Sequence, residues 1–456
     1  MFKDECSATA GRIPRWELFM SVTMPSAARR PAFNAPELQE EIMRLRAVDN
    51  VTNLGYLAFE YLCIAAVIAT AVIFGENRGS WGVSWWWNVP VMTVAMILIG
   101  ALQHRLAGLG HEAAHYTLLK NKFCNDLVGD LFCMFPITAT VHFYRLFHLA
   151  HHQFTNDPSR DPDLVSLGGS KMVDRFPMGR WEFIKSIYLR AFTEPRALFR
   201  YQQDYFDINV LGRSESVYVK RSKEGNVLGR CWPRLGATLG IVYLAGFVVL
   251  QHTLLALGHA DWLWIAGLVA TSILLTVGLL LPTRAYFPSP FRQPYSSRAS
   301  GLLRLVYYTW FFVGTGMLRA ATGGASVVYI WLLWLVPLMS TFLFFMLLRD
   351  VYQHTNADDG RLTNTRVFFA DPFTRWAVFV YGQDMHIPHH LFPAVPHYRL
   401  PGLHRLLKDR HTDYAAQVVE CHGTFANRNG HPTILDELTE PLAERMEKRR
   451  AEVEPH

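Results

Sequence analysis

Long apolar stretches separated by polar, charge-rich segments define the hydrophobicity pattern of this chain. A membrane-crossing helix needs about 20 apolar residues, because it covers about 30 Å of hydrocarbon at about 1.5 Å per residue. The stretches that meet this requirement are Leu54–Phe74, Val89–Leu109, Leu235–Leu257, Trp262–Leu281 and Val327–Leu348. Another, Gly301–Leu318, is weaker because Arg304 interrupts its start. The pattern predicts an all-α polytopic membrane helix bundle with about six crossings, or with four crossings plus interfacial helices.

The distribution of Lys and Arg indicates which side of the membrane each loop faces. When Arg44 and Arg46 are placed in the cytoplasm, six crossings also place the basic segments 111–234 and 284–298 there. The hairpin tip 258–261 has no Lys or Arg and falls on the other side, as the positive-inside rule requires. We therefore expect an integral membrane protein of a bacterial inner membrane or an endoplasmic reticulum membrane.

The same pattern suggests three parts. These are a cytoplasmic N-terminal segment (1–50), a membrane-embedded domain (51–423) and a charged C-terminal tail (424–456). Within the domain, Lys185–Arg234 is expected to form a polar cytoplasmic cap. The tail is expected to contain a short helix near Leu435–Arg450.

Composition narrows the class of protein further. The 456 residues are 50% hydrophobic and 18% charged, which excludes a disordered chain. The net charge of +6 is mild, and the basic residues flank apolar blocks instead of forming a nucleic-acid-binding stripe. The six cysteines show no CxxC pair, so we expect reduced thiols without disulfides.

Three histidine clusters are the strongest chemical signal in the chain. They are HEAAH (His111 and His115), HLAHH (His148, His151 and His152) and HIPHH (His386, His389 and His390). On a helix, residues three and four positions apart share a face, so the imidazoles of each cluster can converge. Imidazole is a ligand for iron, zinc and copper. Eight clustered histidines exceed the needs of one four-coordinate zinc, so two metal ions are the natural number.

Two other interpretations of these clusters belong to different functional classes. HEAAH alone fits the HExxH pattern of zinc proteases, with Glu112 as the general base, but this leaves both HxxHH clusters without a role. The clusters could also bind metal for sensing or storage without catalysis.

The remaining histidines, among them His104, lack the spacing and are expected to be structural. Gly108 and Gly110 are expected to serve helix packing.

Four segments of the chain resemble the membrane fatty acid desaturase family and its hydroxylase relatives. They are GHEAAHYTLLKNKFCNDLVGDL, FHLAHHQFTNDPSRDPDL, LLRDVYQHTN and DMHIPHHLFPAVPHYRL. The three-residue spacing within HEAAH is that of acyl-lipid desaturases and several hydroxylases, rather than of stearoyl-CoA-type desaturases. The QHTN stretch is similar to plant-type omega-6 desaturases, where an extra histidine follows the last helix.

The resemblance implies a di-iron site. Its ligands would be His111, His115, His148, His151, His152, His354, His386, His389 and His390. Candidates for contacts behind these ligands are Glu112, Asp157, Asp161 and Asp163, because metal-bound imidazoles usually donate their other N–H to a carboxylate or carbonyl. A solvated turn is an equally good interpretation of the three aspartates. Some relatives have a polar residue one helical turn before the extra histidine. This chain departs from them with Asp350 at that position, and we assign no role to it.

The activity implied by the resemblance is oxidation of a lipid acyl chain by two Fe²⁺ ions with O₂ as co-substrate. Desaturation is preferred because of the QHTN and HHLFPAVPHY context, and hydroxylation is the alternative. The sequence has no HPGG haem-binding motif and no cysteine spacing for an iron–sulfur cluster. We therefore expect a separate electron donor, of the ferredoxin or cytochrome b5 type, that docks on the basic cytoplasmic face.

Overall fold

A computed structural model describes residues 33–163, 175–210, 216–218, 232–286, 289–426 and 430–453. The first ten helices are α1 Pro36–Leu45, α2 Thr52–Asn77, α3 Asn88–Ala114, α4 Lys122–Val128, α5 Val141–Phe154, α6 Arg180–Phe183, α7 Arg190–Thr193, α8 Pro195–Asn209, α9 Trp232–Ala256 and α10 Leu263–Leu280. The others are α11 Ser297–Thr322, α12 Ala325–Ile330, α13 Val336–Met339, α14 Thr341–His354, α15 Pro372–Ala377, α16 His386–Leu391, α17 Leu400–Arg410, α18 Thr412–Gln417, α19 Ile434–Thr439 and α20 Leu442–Val453.

Short turns of other helical types extend or join these helices. The 3₁₀ turns are Trp85–Trp87, Phe135–Ile137, Ala260–Trp262, Thr283–Ala285 and His397–Arg399. The π turns are Gly129–Met134, Ile184–Tyr188 and Trp331–Leu335. Two three-residue strands, β1 Val367–Phe369 and β2 Glu420–His422, pair in parallel. The predicted helical bundle is therefore confirmed, with one minimal sheet added to it.

Five helical segments are long and apolar enough to cross a membrane. They are Thr52–Asn77, Trp85–Ala114, Gly236–Ala256, Ala260–Leu280 and Ala325–His354. Each coincides, within one residue, with one of the five strong apolar stretches of the sequence or contains it. A bent pair, Lys122–Ile137 with Val141–Phe154, passes the same test but turns through 89°. The number of candidate crossings is thus five or six, which agrees with a polytopic bundle.

Helix α11 contains the weak segment Gly301–Leu318 and is not among these apolar helices, because arginines interrupt it. Its place in the bundle nevertheless indicates that it crosses. His115, after α3, and His354, at the end of α14, both contact α5, so these two helix ends lie on the same side of the bundle. An even number of crossings must then separate them. Of the helices that the structure describes between them, α9, α10 and the segment Ala325–His354 are three candidate crossings, so an even number requires α11 as the fourth.

Arg304 in α11 shows how the bundle accommodates a charge in this helix. Its guanidinium donates hydrogen bonds to the carbonyls of Asn209 and Thr138, at 2.8 and 2.7 Å. A buried charge is tolerated where hydrogen bonds replace the water it loses. The residue that weakened the hydropathy signal therefore fastens α11 to the segments beside α8 and α5.

Helix α3 forms the centre of the bundle and packs on α2, α5 and α14. Close packing with α14 requires Gly100, since a Cβ there would lie 2.0 Å from Thr341 Oγ1. Gly108 and Gly110 allow close packing in the same way. A Cβ added at Gly108 would lie 2.6 Å from the Val380 side chain, and one added at Gly110 would lie 2.5 Å from the Met134 side chain. These contacts agree with the packing role predicted for both glycines.

The charged C-terminal segment packs on the rest of the chain. The prediction of a single helix near Leu435–Arg450 is wrong, because the chain becomes extended at Glu440, before Pro441, and divides it into α19 and α20. Proline disfavours helical geometry in the residue that precedes it. Leu435 and Leu438 are buried against the body of the protein. Part of the predicted cap, residues 211–215 and 219–231, lies outside the described residues.

Candidate metal centre

The nine predicted histidines converge in two adjacent groups. The first group is His111, His115, His148, His152 and His389, and the second is His151, His354, His386 and His390. Within each group the candidate ligand nitrogens lie within 4.8 Å of one another. The groups adjoin, since the ring centroids of His152 and His390 are 4.3 Å apart. Residues more than 270 positions apart in sequence therefore meet at one place.

Four helix ends bring these rings together. His111 lies in the last turn of α3 and His115 caps that helix, while His354 is the final residue of α14. Helices α5 and α16 carry the two HxxHH clusters. Each of these clusters divides between the groups, because its first and fifth residues face one group and its fourth faces the other. The sequence predicted convergence on one helix face, and the structure adds this division.

Distances between the Nε2 atoms suit shared coordination of an ion. In the first group, His148 Nε2 lies 2.9 Å from the Nε2 atoms of both His115 and His152. In the second, His386 Nε2 lies 2.8 Å from His354 Nε2 and 3.1 Å from His390 Nε2. An ion held about 2.0–2.1 Å from each imidazole nitrogen places opposite nitrogens about 4 Å apart, within the span of these groups. The donor sets therefore fit two metal ions.

Burial favours the protonation state that metal binding requires. It lowers the pKa of His115, His386, His389 and His390 well below the usual imidazole value, and neighbouring imidazoles lower it further. These rings are therefore neutral at pH 7 and keep a lone pair for a metal. These four rings can offer their nitrogens without first losing protons. His151 of the second group differs, because Asp161 and Asp163 raise its pKa to about 9 against the effect of burial, so it must lose a proton before it binds a metal.

Two of the predicted carboxylates stand behind the second group. The Nδ1 atom of His151 lies 2.9 Å from Asp161 Oδ1 and 3.2 Å from Asp163 Oδ2. Burial raises the pKa of Asp163 to about 7, although the neighbouring His151 opposes this shift. A carboxylate on the far nitrogen of an imidazole fixes the tautomer and turns the other nitrogen toward a metal. Asp161 and Asp163 thus both contact His151, and their role behind a metal ligand stays a prediction.

Asp157 does not join this arrangement. Its carboxylate accepts hydrogen bonds from Ser159 and Arg160 in a turn at the surface. The solvated-turn interpretation is therefore correct for Asp157, although it is not correct for Asp161 and Asp163.

Glu112 is buried, and its carboxylate accepts hydrogen bonds from the Thr117 hydroxyl and the His397 backbone N–H, at 2.9 and 3.0 Å. Its Oε1 lies 3.7 Å from His111 Nδ1. The Glu112 carboxylate therefore forms structural hydrogen bonds behind His111. A protease base needs a carboxylate that faces a water on the metal, so this placement favours a supporting role.

A cavity of about 100 Å³ opens on both histidine groups. His111 and His148 of the first group line it, together with His151 and His386 of the second. The rest of the wall comes from α8, α14 and the turn after α4, which contains Met134. A substrate in this cavity would lie directly beside both candidate ions.

A comparison of the sequence with protein families assigns this architecture. The profile described as fatty acid desaturase matches residues 84–308 and 275–422, which is well over half of the chain. The matched region contains all nine histidines. This chain belongs to the fatty acid desaturase family.

Individual desaturases match shorter parts of the chain. Dihydrorhizobitoxine desaturase of Bradyrhizobium elkanii is 34% identical over 148 residues, which are 32% of this chain and 38% of that protein. The sn-1 oleoyl-lipid 12-desaturase of Anabaena variabilis is 30% identical over 94 residues, or 21% and 26% of the two chains. The sn-1 acyl-lipid omega-3 desaturase (ferredoxin) of Nostoc sp. (strain 36) is 25% identical over 231 residues, or 50% and 55%. The alignments thus span between about a quarter and just over half of these relatives.

Four of the other histidines of this desaturase family member have structural partners, as predicted. The Nδ1 atom of His104 lies 2.8 Å from the Ala377 carbonyl, and His142 Nε2 lies 3.1 Å from the Ser297 hydroxyl. His397 contacts Asn53, while His404 contacts Tyr414. His252 and His259 lie at the far end of α9 and its following loop, away from both groups.

Sequence reasoning missed two arginines that hold the ligand-bearing helix ends. Arg145 donates hydrogen bonds to the Ala113 and Ala114 carbonyls at the end of α3, at 2.8 and 2.9 Å. Arg366 donates to the Tyr352, Thr355 and Asn356 carbonyls around His354, at 2.9–3.0 Å. Both side chains are fully buried. One feature of the sequence could have predicted the role of Arg145. It is a charged residue three positions before His148, on the inner face of a helix that carries histidines.

We predict that Asp161→Asn weakens iron binding while Asp157→Asn does not. Asp161 accepts the hydrogen bond that orients His151, and loss of such a contact typically costs about 10- to 100-fold in metal affinity. Asp157 is a matched control, since it lies four residues away and faces solvent with Arg160. Iron content after titration with a chelator measures the difference. Equal chelator resistance in both variants would contradict the role of Asp161.

Proposed function

We propose that this chain is a membrane desaturase that uses two iron ions and O₂ to introduce a C=C double bond into a lipid acyl chain. The observation that carries the proposal is the convergence of nine histidines in groups of five and four, beside a cavity that four of them line. Family membership supports the reaction class, since the relatives named above are all desaturases.

The proposed ligands are the five histidines of the first group for one iron and the four of the second group for the other. The iron ions supply the oxidising power that no protein side chain has, because an unactivated C–H bond resists ordinary acids and bases. The imidazoles hold the metals, while Asp161 and Asp163 orient His151. The cavity positions the chain and limits access of water, which protects the oxidant from side reactions.

The overall reaction requires a reductant. O₂ takes up four electrons and four protons to form two molecules of water. Two of the electrons, with two protons, come from the two C–H bonds that are lost as the double bond forms. The other two electrons come from a donor. We propose a separate electron-transfer protein, and the ferredoxin named for the Nostoc relative is one example.

The proposed location is a membrane whose cytoplasmic face carries the two histidine groups. The basic loops that contain Arg44, Arg46 and Arg298 support this orientation through the positive-inside rule. A soluble donor in the cytoplasm could then reach the metals while the lipid substrate enters from the bilayer.

The experiment that tests this function is lipid profiling by mass spectrometry of cells with and without the chain. Desaturation lowers the mass of an acyl lipid by about two units, whereas hydroxylation raises it by about sixteen. We expect the lower mass, with dependence on O₂ and iron. A gain of sixteen would convert the proposal to hydroxylation, and unchanged lipids together with zinc in the purified protein would contradict it.

A further inference from the structure

The cavity beside the histidine groups is lined by residues of two chemical kinds. The apolar lining residues include Met134, Ile137, Phe342 and Met346. The charged and polar lining residues include Arg349, Asp350, Tyr144, Tyr201 and Gln353, and this set is called the polar wall below. A polymethylene chain has no groups that could meet the polar wall.

Arg349 and Asp350 form a buried ion pair on that polar wall. Asp350 Oδ1 accepts hydrogen bonds from Arg349 Nη2 and Nε, at 2.6 and 3.1 Å. Their side chains are only 12% and 14% exposed. The guanidinium also lies close enough to the Tyr144 hydroxyl to influence it electrostatically. A single carboxylate oxygen thus takes two of the five guanidinium N–H groups.

This pair keeps unused hydrogen-bonding capacity toward the cavity. Within the described part of the chain, no hydrogen bond ends on Asp350 Oδ2. Arg349 retains donors beyond the two that Asp350 accepts. If a plain methylene segment displaced water from these groups, both would be desolvated without compensation, which is unfavourable.

The charge balance favours an uncharged partner over an ion. Asp350 already neutralises Arg349, so the pair offers hydrogen bonds without a net charge, and the other carboxyl groups of the lining, Asp163 and Asp204, disfavour an anion. A carbonyl, hydroxyl, ether or amide group can accept from the guanidinium, and a hydroxyl or amide can also donate to Asp350. Such a group would be held in the same cavity that His111, His151 and His386 line.

Resting on the proposed function, we propose that the substrate carries an uncharged polar group that binds the Arg349–Asp350 pair. The CH₂ groups that are oxidised then lie a few bonds from that polar group. The substrate is thus a lipid that is oxidised close to an ester, amide, ether or hydroxyl group. The oxidised carbons do not lie within a long unsubstituted series of CH₂ groups. Arg349 and Asp350 act as specificity-determining residues.

The test locates the new double bond and then removes the pair. Tandem mass spectrometry of lipids from expressing cells gives the distance between the double bond and the nearest polar group. Arg349→Met with Asp350→Leu replaces both charges together, which avoids an unpaired buried charge. Arg105→Met with Glu60→Leu is the matched control, because this other buried pair, at 2.7 Å, does not line the cavity. Iron content is measured in every variant.

We expect the wild-type double bond next to, or a few bonds from, a polar group. The informative variant is the Arg349–Asp350 double variant that still contains iron. In this variant, the ratio of double bonds near the polar group to double bonds in unsubstituted chain should fall about tenfold. This is the effect expected for one lost hydrogen bond. The control variant should keep the wild-type distribution. Wild-type double bonds deep in an unsubstituted run, or an unchanged distribution in the iron-retaining variant, would overturn this inference and leave the proposed function intact. Lipids without any oxidation would instead overturn the proposed function, and this inference with it.

Discussion

His151→Ala and His389→Ala should each abolish lipid oxidation while leaving a membrane-inserted protein. Each change removes one proposed ligand, His151 from the group of four and His389 from the group of five. The group of four falls to three donors, and its remaining rings lose the member that Asp161 orients. We therefore expect His151→Ala to lose more iron than His389→Ala, although both lose activity.

Iron per chain, measured by mass spectrometry, and lipid product from the same cells test this expectation. His252→Ala is the control, since His252 is exposed near the far end of α9. It should retain both iron and activity. Full oxidation by either ligand variant would mean that the assignment of nine ligands is wrong.

Arg145→Met should destabilise the protein by about 3–5 kcal/mol, because it leaves a buried carboxylate without its partner. Arg145 forms two hydrogen bonds with Asp126, at 2.6 and 2.8 Å, and both side chains are almost completely buried. Arg145 also holds the carbonyls that end α3, next to His115. The change should therefore reduce both stability and iron content.

The double variant Arg145→Met with Asp126→Leu separates these two effects. It removes both charges, so we expect unfolding in detergent to return toward the wild-type midpoint. Iron content should stay low, because the carbonyls of Ala113 and Ala114 still lack their donor. If the double variant recovered iron as well as stability, Arg145 would act through the ion pair alone.

The transmembrane helices and the histidine clusters could be predicted because their signals are local. A run of about 20 apolar residues identifies a crossing without reference to the rest of the fold. HEAAH and the two HxxHH clusters predict candidate metal ligands through helical spacing alone. His354 has no such spacing and was included only because its QHTN context resembles a known family.

Features that depend on how helices pack could not be predicted in the same way. The division of each HxxHH cluster between two groups depends on the angle at which α5 meets α16. The functions of Arg145 and Arg366 depend on carbonyls 31 and 10–14 residues away, respectively. Similarly, α19 and α20 are held by Glu437, which binds Arg366 and Arg445 from separate segments.

The way α5 and α16 distribute their rings would make the two proposed metal ions depend on each other. Each of these helices contributes to both groups, with two nitrogens on one side and one on the other. Discarding either helix would strip donors from both positions at once. Losing either HxxHH motif could therefore not yield a mononuclear protein from this scaffold, because both proposed metal positions would be weakened together.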